Sequence, residues 1–172
     1  MTTHFKLEHD FPKISLELFE THLNHPNLNK MLAKMPAFRS RELVEQQTLK
    51  NGEILWKFKV VAGGDVPPAV QRILSADMFT WWENSRFVPD EHCIYWEIEP
   101  LVGKGKFEGK GTWQLFEEAD GTSRVIEGEV SVKIPLIGKV AEAFIVNELK
   151  RNFEVEPEIQ LAFYKKMKPK KS

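Results

Sequence analysis

The chain has 172 residues, 42% hydrophobic and 28% charged, with a formal net charge of −1 and one cysteine, Cys93. That length suits one domain able to bury roughly two thirds of the surface its unfolded form would expose, and a lone cysteine excludes an internal disulfide. No run approaches the ~18 apolar residues of a membrane span, and the first residues, MTTHFKLEHDF, lack the basic and apolar regions of a secretory signal, so a cytoplasmic location is expected. Five of the last eight residues, KKMKPKKS, are lysines. They leave the body net negative, which argues against nucleic acid as a partner. Residues 165–172 read as a basic, solvated tail capable of transient contact with a membrane surface, without stable insertion, behind a single domain over residues 1–164.

HFKLEHDF alternates as a first strand, and Pro12 introduces a helical pattern, ISLELFETHL, that stops near Asn24-His25-Pro26. A second short helix, LNKMLAKM, ends at Pro36. FRSRELVEQQTLK and EILWKFKVV, joined by Asn51-Gly52, predict a hairpin. After a brief helical or irregular AVQRIL comes the aromatic run DMFTWWENSRFV. The strands CIYWEIEPL, KFEGKGTWQLFEE and TSRVIEGEVSVKI follow, with turns at Pro89-Asp90, near Gly103 and at Asp120-Gly121. A long helix closes the chain. The fold class is α+β, with about seven antiparallel strands curved around the C-terminal helix and two short helices after the first strand.

Period-two patterning assigns faces. Ile54, Trp56, Phe58 and Val60 share one face, opposite Lys57 and Lys59. Ile94, Trp96 and Ile98 oppose Tyr95, Glu97 and Glu99. Phe107, Trp113 and Leu115 fall together, as do Ile126, Val130, Val132 and Ile134. Gly109 and Gly111 lie in the same inward register, where missing side chains signal either a bend or room for a ligand. Trp81 and Trp82 must divide between the two faces.

The element order, VPPAVQRIL, the strand GKGKFEGKGTWQL and above all RVIEGEVSVKIPLIGKVAEAFI resemble the START-like, helix-grip domains of the SRPBCC superfamily, and within it a bacterial family of unknown function. The resemblance spans roughly His4 to Tyr164; many relatives carry a second glycine where this chain has Lys139. It implies a deep cavity between sheet and helix that holds a lipid, sterol, polyketide or other apolar small molecule. It transfers no catalytic residue and implies no cofactor.

Other motifs point elsewhere only weakly. GKGKFEGKGT fails the spacing of a phosphate loop and lies within a strand pattern. His22 and His25 lack a third ligand at metal-binding spacing and read as a helix terminus. Cys93 reads as an inert, at least half-buried thiol.

In the last helix, Ala141, Ile145, Glu148, Asn152, Val155, Ile159 and Phe163 form one stripe at 100° per residue. If it faces the sheet, a carboxylate and an amide enter an apolar space. The other phasing buries Ile145, Leu149 and Phe153 and leaves Glu148 and Asn152 at the margin. Pro157 predicts a kink.

The expected function is non-catalytic binding or carriage of an apolar small molecule. Candidate ligand-binding residues are Trp56, Phe58, Trp96, Phe107, Trp113, Val130, Val140, Phe144, Glu148 and Asn152. Two alternatives stand beside it: a cyclase- or aromatase-like enzyme with Glu148 as acid or base, and a partner-binding module using the Trp81-Trp82 region and the tail.

Overall fold

A computed structural model describes residues 2–167. In chain order the elements are β1 (Thr2–Pro12), α1 (Leu16–Thr21), α2 (Pro26–Leu32), β2 (Phe38–Thr48), β3 (Ile54–Ala62), α3 (Pro68–Gln71), β4 (Thr80–Val88), β5 (Cys93–Pro100), β6 (Phe107–Glu118), β7 (Gly121–Val132) and α4 (Gly138–Met167). The seven strands form one antiparallel sheet in the order β1-β7-β6-β5-β4-β3-β2. After β1 the chain crosses through α1 and α2 to the far edge and meanders back, so β7 closes against β1. The sheet order, the two short helices and the single long helix agree with the expected α+β helix-grip architecture.

Local chemistry explains most boundaries. Ser15 caps α1 by accepting from the Leu18 N–H, and His25 caps α2 ahead of Pro26 at its first position. The β2–β3 hairpin turns at Gly52, whose φ of 86° favours a residue without Cβ, while the Asn51 side chain accepts from the Glu53 N–H. One boundary differs from expectation. Pro12 does not open a helix; β1 continues to it, because β1 is an edge strand and the outer side of an edge has no ladder bond for proline to forfeit.

The expected inward faces of β3, β5 and β7 are buried: Trp56, Phe58 and Val60; Ile94 and Ile98; Ile126, Val130 and Val132. Two apolar masses sit at opposite ends of α4. One gathers Phe11, Phe19, Leu28 and Leu32 against Phe163 and Tyr164; the other gathers Phe5, Val70, Val130 and Val132 against Ala141 and Val146. The glycine pair in β6 leaves no ligand room, and pairing runs through it without a register shift. Gly111 pairs with Gly128 of β7 and with Trp96 of β5, and Phe5 of β1 pairs with Gly128. A Cβ at Gly128 would meet the Trp96 ring at 2.6 Å and the Phe5 ring at 2.7 Å. One indole and one phenyl ring, Trp96 and Phe5, stacked with centroids 6.2 Å apart, therefore lie across the bare backbone. Over Gly109 the space belongs to Ile98.

Helix α4 runs through Pro157 without interruption. Proline cannot donate to the Phe153 carbonyl one turn earlier; the His9 imidazole lies beside Phe153, ring centroids 6.1 Å apart. Of the basic tail, only Lys165, Lys166 and Met167 fall within the described residues, as the last turn of α4; the remainder of that expectation lies outside them.

Candidate functional site

Between sheet and α4 lie two narrow chambers. The first, of about 90 Å³, is lined by Trp81, Ile98 and Phe107 from the sheet, Val70, Leu74, Met78 and Phe79 from the segment around α3, and Phe144, Ile145, Glu148, Leu149 and Asn152 from α4. The second, of about 80 Å³, is lined by Trp56, Glu83, Trp96 and Trp113 from the sheet and Leu149, Phe153 and Gln160 from α4. Ile98 and Leu149 belong to both walls. Small-molecule sites commonly hold roughly 300–1,000 Å³, so the deep cavity implied by the resemblance is present only as these two small spaces. A larger open trough, about 1190 Å³, runs over the other face among Lys57, Glu97, Lys110, Glu127 and Glu129. Its alternating charges are unsuited to an apolar molecule.

The α4 stripe resolves in favour of inward polar groups. Asn152 is 2% exposed and Glu148 lines the first chamber. Ile145, Leu149 and Phe153 line the chambers too, since a sheet curved around a helix covers more than one stripe of it. The Asn152 carbonyl oxygen accepts from the Ala37 N–H at 3.0 Å, which fixes the amide and turns its NH2 away. One Glu148 oxygen lies 3.7 Å from Arg151. The other approaches Gly64, where a Cβ would stand 2.7 Å away. Gly64 has φ +84°, so both its conformation and this close approach favour glycine.

Among the described residues, six buried side-chain polar atoms have no hydrogen-bond partner: Trp81 Nε1, Trp96 Nε1, Arg124 Nε, Glu148 Oε2, Asn152 Nδ2 and Gln160 Oε1. Five of the six belong to residues that line a chamber. An unmet buried donor or acceptor costs about 1–3 kcal/mol, so their concentration around two spaces marks those spaces as polar-seeking as well as apolar. Glu83 adds a further carboxylate on the second wall, paired with Arg41 at 2.9 Å, and the Arg41 guanidinium lies 3.6 Å above the Phe58 ring centroid.

Below the second chamber sits a fully buried ion pair. The Arg124 guanidinium, 0% exposed, donates two bonds to Glu156 at 2.8 and 3.0 Å and one to His9 Nδ1 at 3.3 Å. It also lies 4.6 Å from the Trp113 ring centroid and 5.1 Å from that of Phe11. Gln160 donates to the same Glu156 at 3.2 Å. Burial alone would push the Glu156 carboxyl up, but the Arg124 charge and the bonds from Arg124 and Gln160 outweigh it and hold the group below its ordinary value. His9 is lowered by burial and by the Arg124 charge, against an opposing pull from Glu156.

Among the expected binding residues, Trp56, Trp96, Phe107, Trp113, Phe144, Glu148 and Asn152 line one chamber or the other. Phe58 and Val130 are buried among neighbouring core side chains and line neither. Val140, placed in the wall by expectation, is 46% exposed on the outside of α4, because one residue before Ala141 is 100° off the buried face. Trp81 faces the first chamber, whereas Trp82 lies outside beneath Lys57 and Lys59. His22 bonds to the Leu18 carbonyl at the end of α1, and His25 caps α2, so both serve helix ends. Burial pushes the Cys93 thiol up, consistent with a thiol of low reactivity.

Sequence reasoning missed Arg41, Glu83, Arg124, Glu142, Glu156 and Gln160. For Arg124 the signal was present: the alternation that turns Ile126 and Val130 inward turns residue 124 inward as well. Glu142 is bonded by the Thr3 hydroxyl and the Val132 N–H, both at 2.8 Å, and pins the start of α4 to the sheet.

A curved antiparallel sheet gripping one long helix, with an enclosed space between them, defines a helix-grip domain. The chain belongs to the family described as "Protein of unknown function (DUF2505)", whose model matches residues 13–162. Among solved structures it is similar to the ZhuI aromatase/cyclase from Streptomyces sp. R1128, with TM-score 0.62, 15% identity, and 94% of this chain and 93% of that chain covered. It is also similar to norcoclaurine synthase from Thalictrum flavum, with TM-score 0.58, 16% identity and 96% of each chain covered. A third similar structure is Ara h 8.0201, with TM-score 0.53, 13% identity, and 93% and 99% covered. At these identities the likeness establishes the fold. No curated protein sequence matches the chain. No described helix is long and apolar enough to cross a membrane.

Proposed function

We propose that this chain is a binding or carrier protein for a small apolar molecule that also carries hydrogen-bonding groups, taken up between sheet and α4. The single observation that supports the reading is the grouping of five unpartnered polar atoms around the chambers. Trp81, Trp96 and Asn152 offer donors, while Glu148 and Gln160 offer acceptors. A fitting ligand has an apolar, preferably flat or chain-like body bearing at least one hydroxyl and one carbonyl or second hydroxyl, as lipids, sterols and polyketide-like molecules do. Trp56, Trp96, Phe107, Trp113 and Phe144 supply the apolar walls, and burial against them drives binding at about 25 cal/mol per Å² before ordering costs.

Because the chambers are small, uptake of a ligand requires their walls to move apart. The lone Cys93 and net negative body fit a cytoplasmic protein with no nucleic acid partner. Native mass spectrometry of gently purified protein, with organic extraction, tests the reading. A bound mass in the small-lipid range is expected. A bare protein whose melting temperature also ignores a panel of sterols, phenols and long-chain alcohols contradicts it.

One observation favours a second reading, an enzyme acting in the same space. Glu148 presents a buried carboxylate oxygen with no partner to the first chamber, where a substrate proton could be taken or given. The names of ZhuI and norcoclaurine synthase keep this reading in view. Replacing Glu148 by Gln then abolishes turnover of any substrate found, whereas unchanged turnover removes Glu148 from that role.

A further inference from the structure

We propose that the end of the molecule around the first chamber docks on an anionic lipid bilayer. Among the described residues nine large hydrophobic side chains are exposed, and five of them, Ile73, Leu101, Val102, Leu136 and Val140, belong to just three segments. These are the α3 segment, the β5–β6 connection, and the β7–α4 turn with the first turn of α4, and each also contributes lining to the first chamber. They are tied together: Lys133 N–H donates to the Lys106 carbonyl at 2.7 Å, Gly103 lies against Met78, and Val70 packs in one core with Val132 and Ala141. Scattered exposed apolar residues need no explanation, but a grouping at one end calls for an apolar neighbour.

Leu136 is the sharpest member. It is 100% exposed and holds φ at 71°, a left-handed conformation in which glycine is the undemanding choice. A left-handed turn that lifts a leucine wholly into water is unfavourable on both counts, and the exposure is relieved when the side chain enters an acyl layer. Charge indicates which apolar neighbour fits. The stretches 65–79, 101–106 and 133–140 contain Arg72, Lys104, Lys106, Lys133 and Lys139 against Asp65 and Asp77, with Lys133 paired to Glu108 at 3.1 Å, in a chain whose net charge is −1. Aliphatic tips ringed by lysine fit a shallowly inserted, anionic lipid surface. Protein interfaces are instead enriched in aromatic residues and depleted of lysine.

Val102 is both exposed and part of the first chamber's wall, so a docked protein opens that chamber toward the bilayer. An apolar molecule could then pass without crossing water. The inference goes beyond the cavity reading and requires no particular ligand.

The test is flotation of the full chain with vesicles of phosphatidylcholine alone and of phosphatidylcholine with phosphatidylglycerol, at low and high salt. Binding is expected only to the anionic vesicles and is weakened by salt. Leu136→Glu, at a fully exposed site that does not disturb folding, is expected to cut binding about tenfold or more, and Lys104→Glu with Lys106→Glu somewhat less. Removing residues 165–172 leaves binding in place. Four results overturn the proposal: no binding to either vesicle, binding indifferent to Leu136→Glu, loss on tail removal alone, or self-association in solution that depends on Leu136. Native mass spectrometry of the same samples separates the outcomes. Retained ligand with no vesicle binding overturns docking alone, and vesicle binding with an empty cavity leaves docking standing.

Discussion

The two halves of the sheet–helix interface treat buried polar groups in opposite ways. Toward the C-terminal half of α4, buried Arg124, Glu156 and Gln160 and half-buried His9 are bonded in one network, roofed by Trp113 and seated beside Phe11. Toward its N-terminal half, Trp81, Glu148 and the Asn152 amide face a space and lack partners. A buried polar network that satisfies itself in all but Arg124 Nε and Gln160 Oε1 is architecture. A set that does not is a surface waiting for something else to bond. Burial alone does not separate the two; only the accounting of donors and acceptors does. Gln160 sits on the border, donating to Glu156 while its own carbonyl oxygen goes unbonded beside the second chamber.

The contrast is broken most severely at the ion pair. Arg124→Met leaves Glu156 buried without its counter-charge, and a loss of about 3–5 kcal/mol in urea unfolding is expected. Adding Glu156→Leu to that variant is expected to recover most of the loss, because an apolar pair of similar volume removes the stranded charge; failure to recover would mean that the network is needed for more than charge balance. A smaller cost, roughly 1–3 kcal/mol, is expected for Gly111→Ala, since a methyl group there collides with the β7 backbone and the Trp96 ring. Glu148→Leu is expected to leave stability unchanged or to raise it by up to about 1–3 kcal/mol, because it removes a buried carboxylate oxygen that bonds nothing and gives up only the exposed Arg151 contact of the other oxygen. The same variant is expected to lose the extracted ligand. If it unfolds the protein instead, Glu148 belongs with the architecture.

Acid sharpens the comparison further. His9 has a folded value below 6.5, so the unfolded chain binds more protons, and stability falls as pH drops below about 6.5 toward the folded value. Glu156 is also lowered; its contribution is complete above its ordinary 4.5 and is lost as pH falls through the depressed folded value. Both effects run in the same direction. His9→Gln is expected to flatten only the upper part of the stability profile, in a denaturation series between neutral and mildly acidic pH.

Much of the fold was legible because its signals are repetitive. Alternation fixed the strands from Phe38 to Val132 and the inward placement of Trp56, Ile98 and Val130, while the 100° periodicity fixed α4. Pro12 misled because a strand edge tolerates what a helix start also favours. In the site, the aromatic wall could be read from periodicity, but the ion pair could not. Arg124 and Glu156 are 32 residues apart, and charge at an inward position gives no sign of its partner until the topology sets β7 against α4. The two phasings offered for α4 were both partly right, because the curved sheet covers more of the helix than a flat one would. Val140 went astray at the helix start, where one residue separates the buried face from the outer rim.

The central claim, that unpartnered groups in the two chambers receive a ligand, is tested most directly by nuclear magnetic resonance of the tryptophan indole N–H groups during titration with a small phenol such as p-cresol. Trp82, outside beneath Lys57 and Lys59, is the internal control. The expected result is movement of the Trp81 and Trp96 resonances with the Trp82 signal unchanged. Stationary Trp81 and Trp96 signals, or movement confined to Trp82, would contradict the claim.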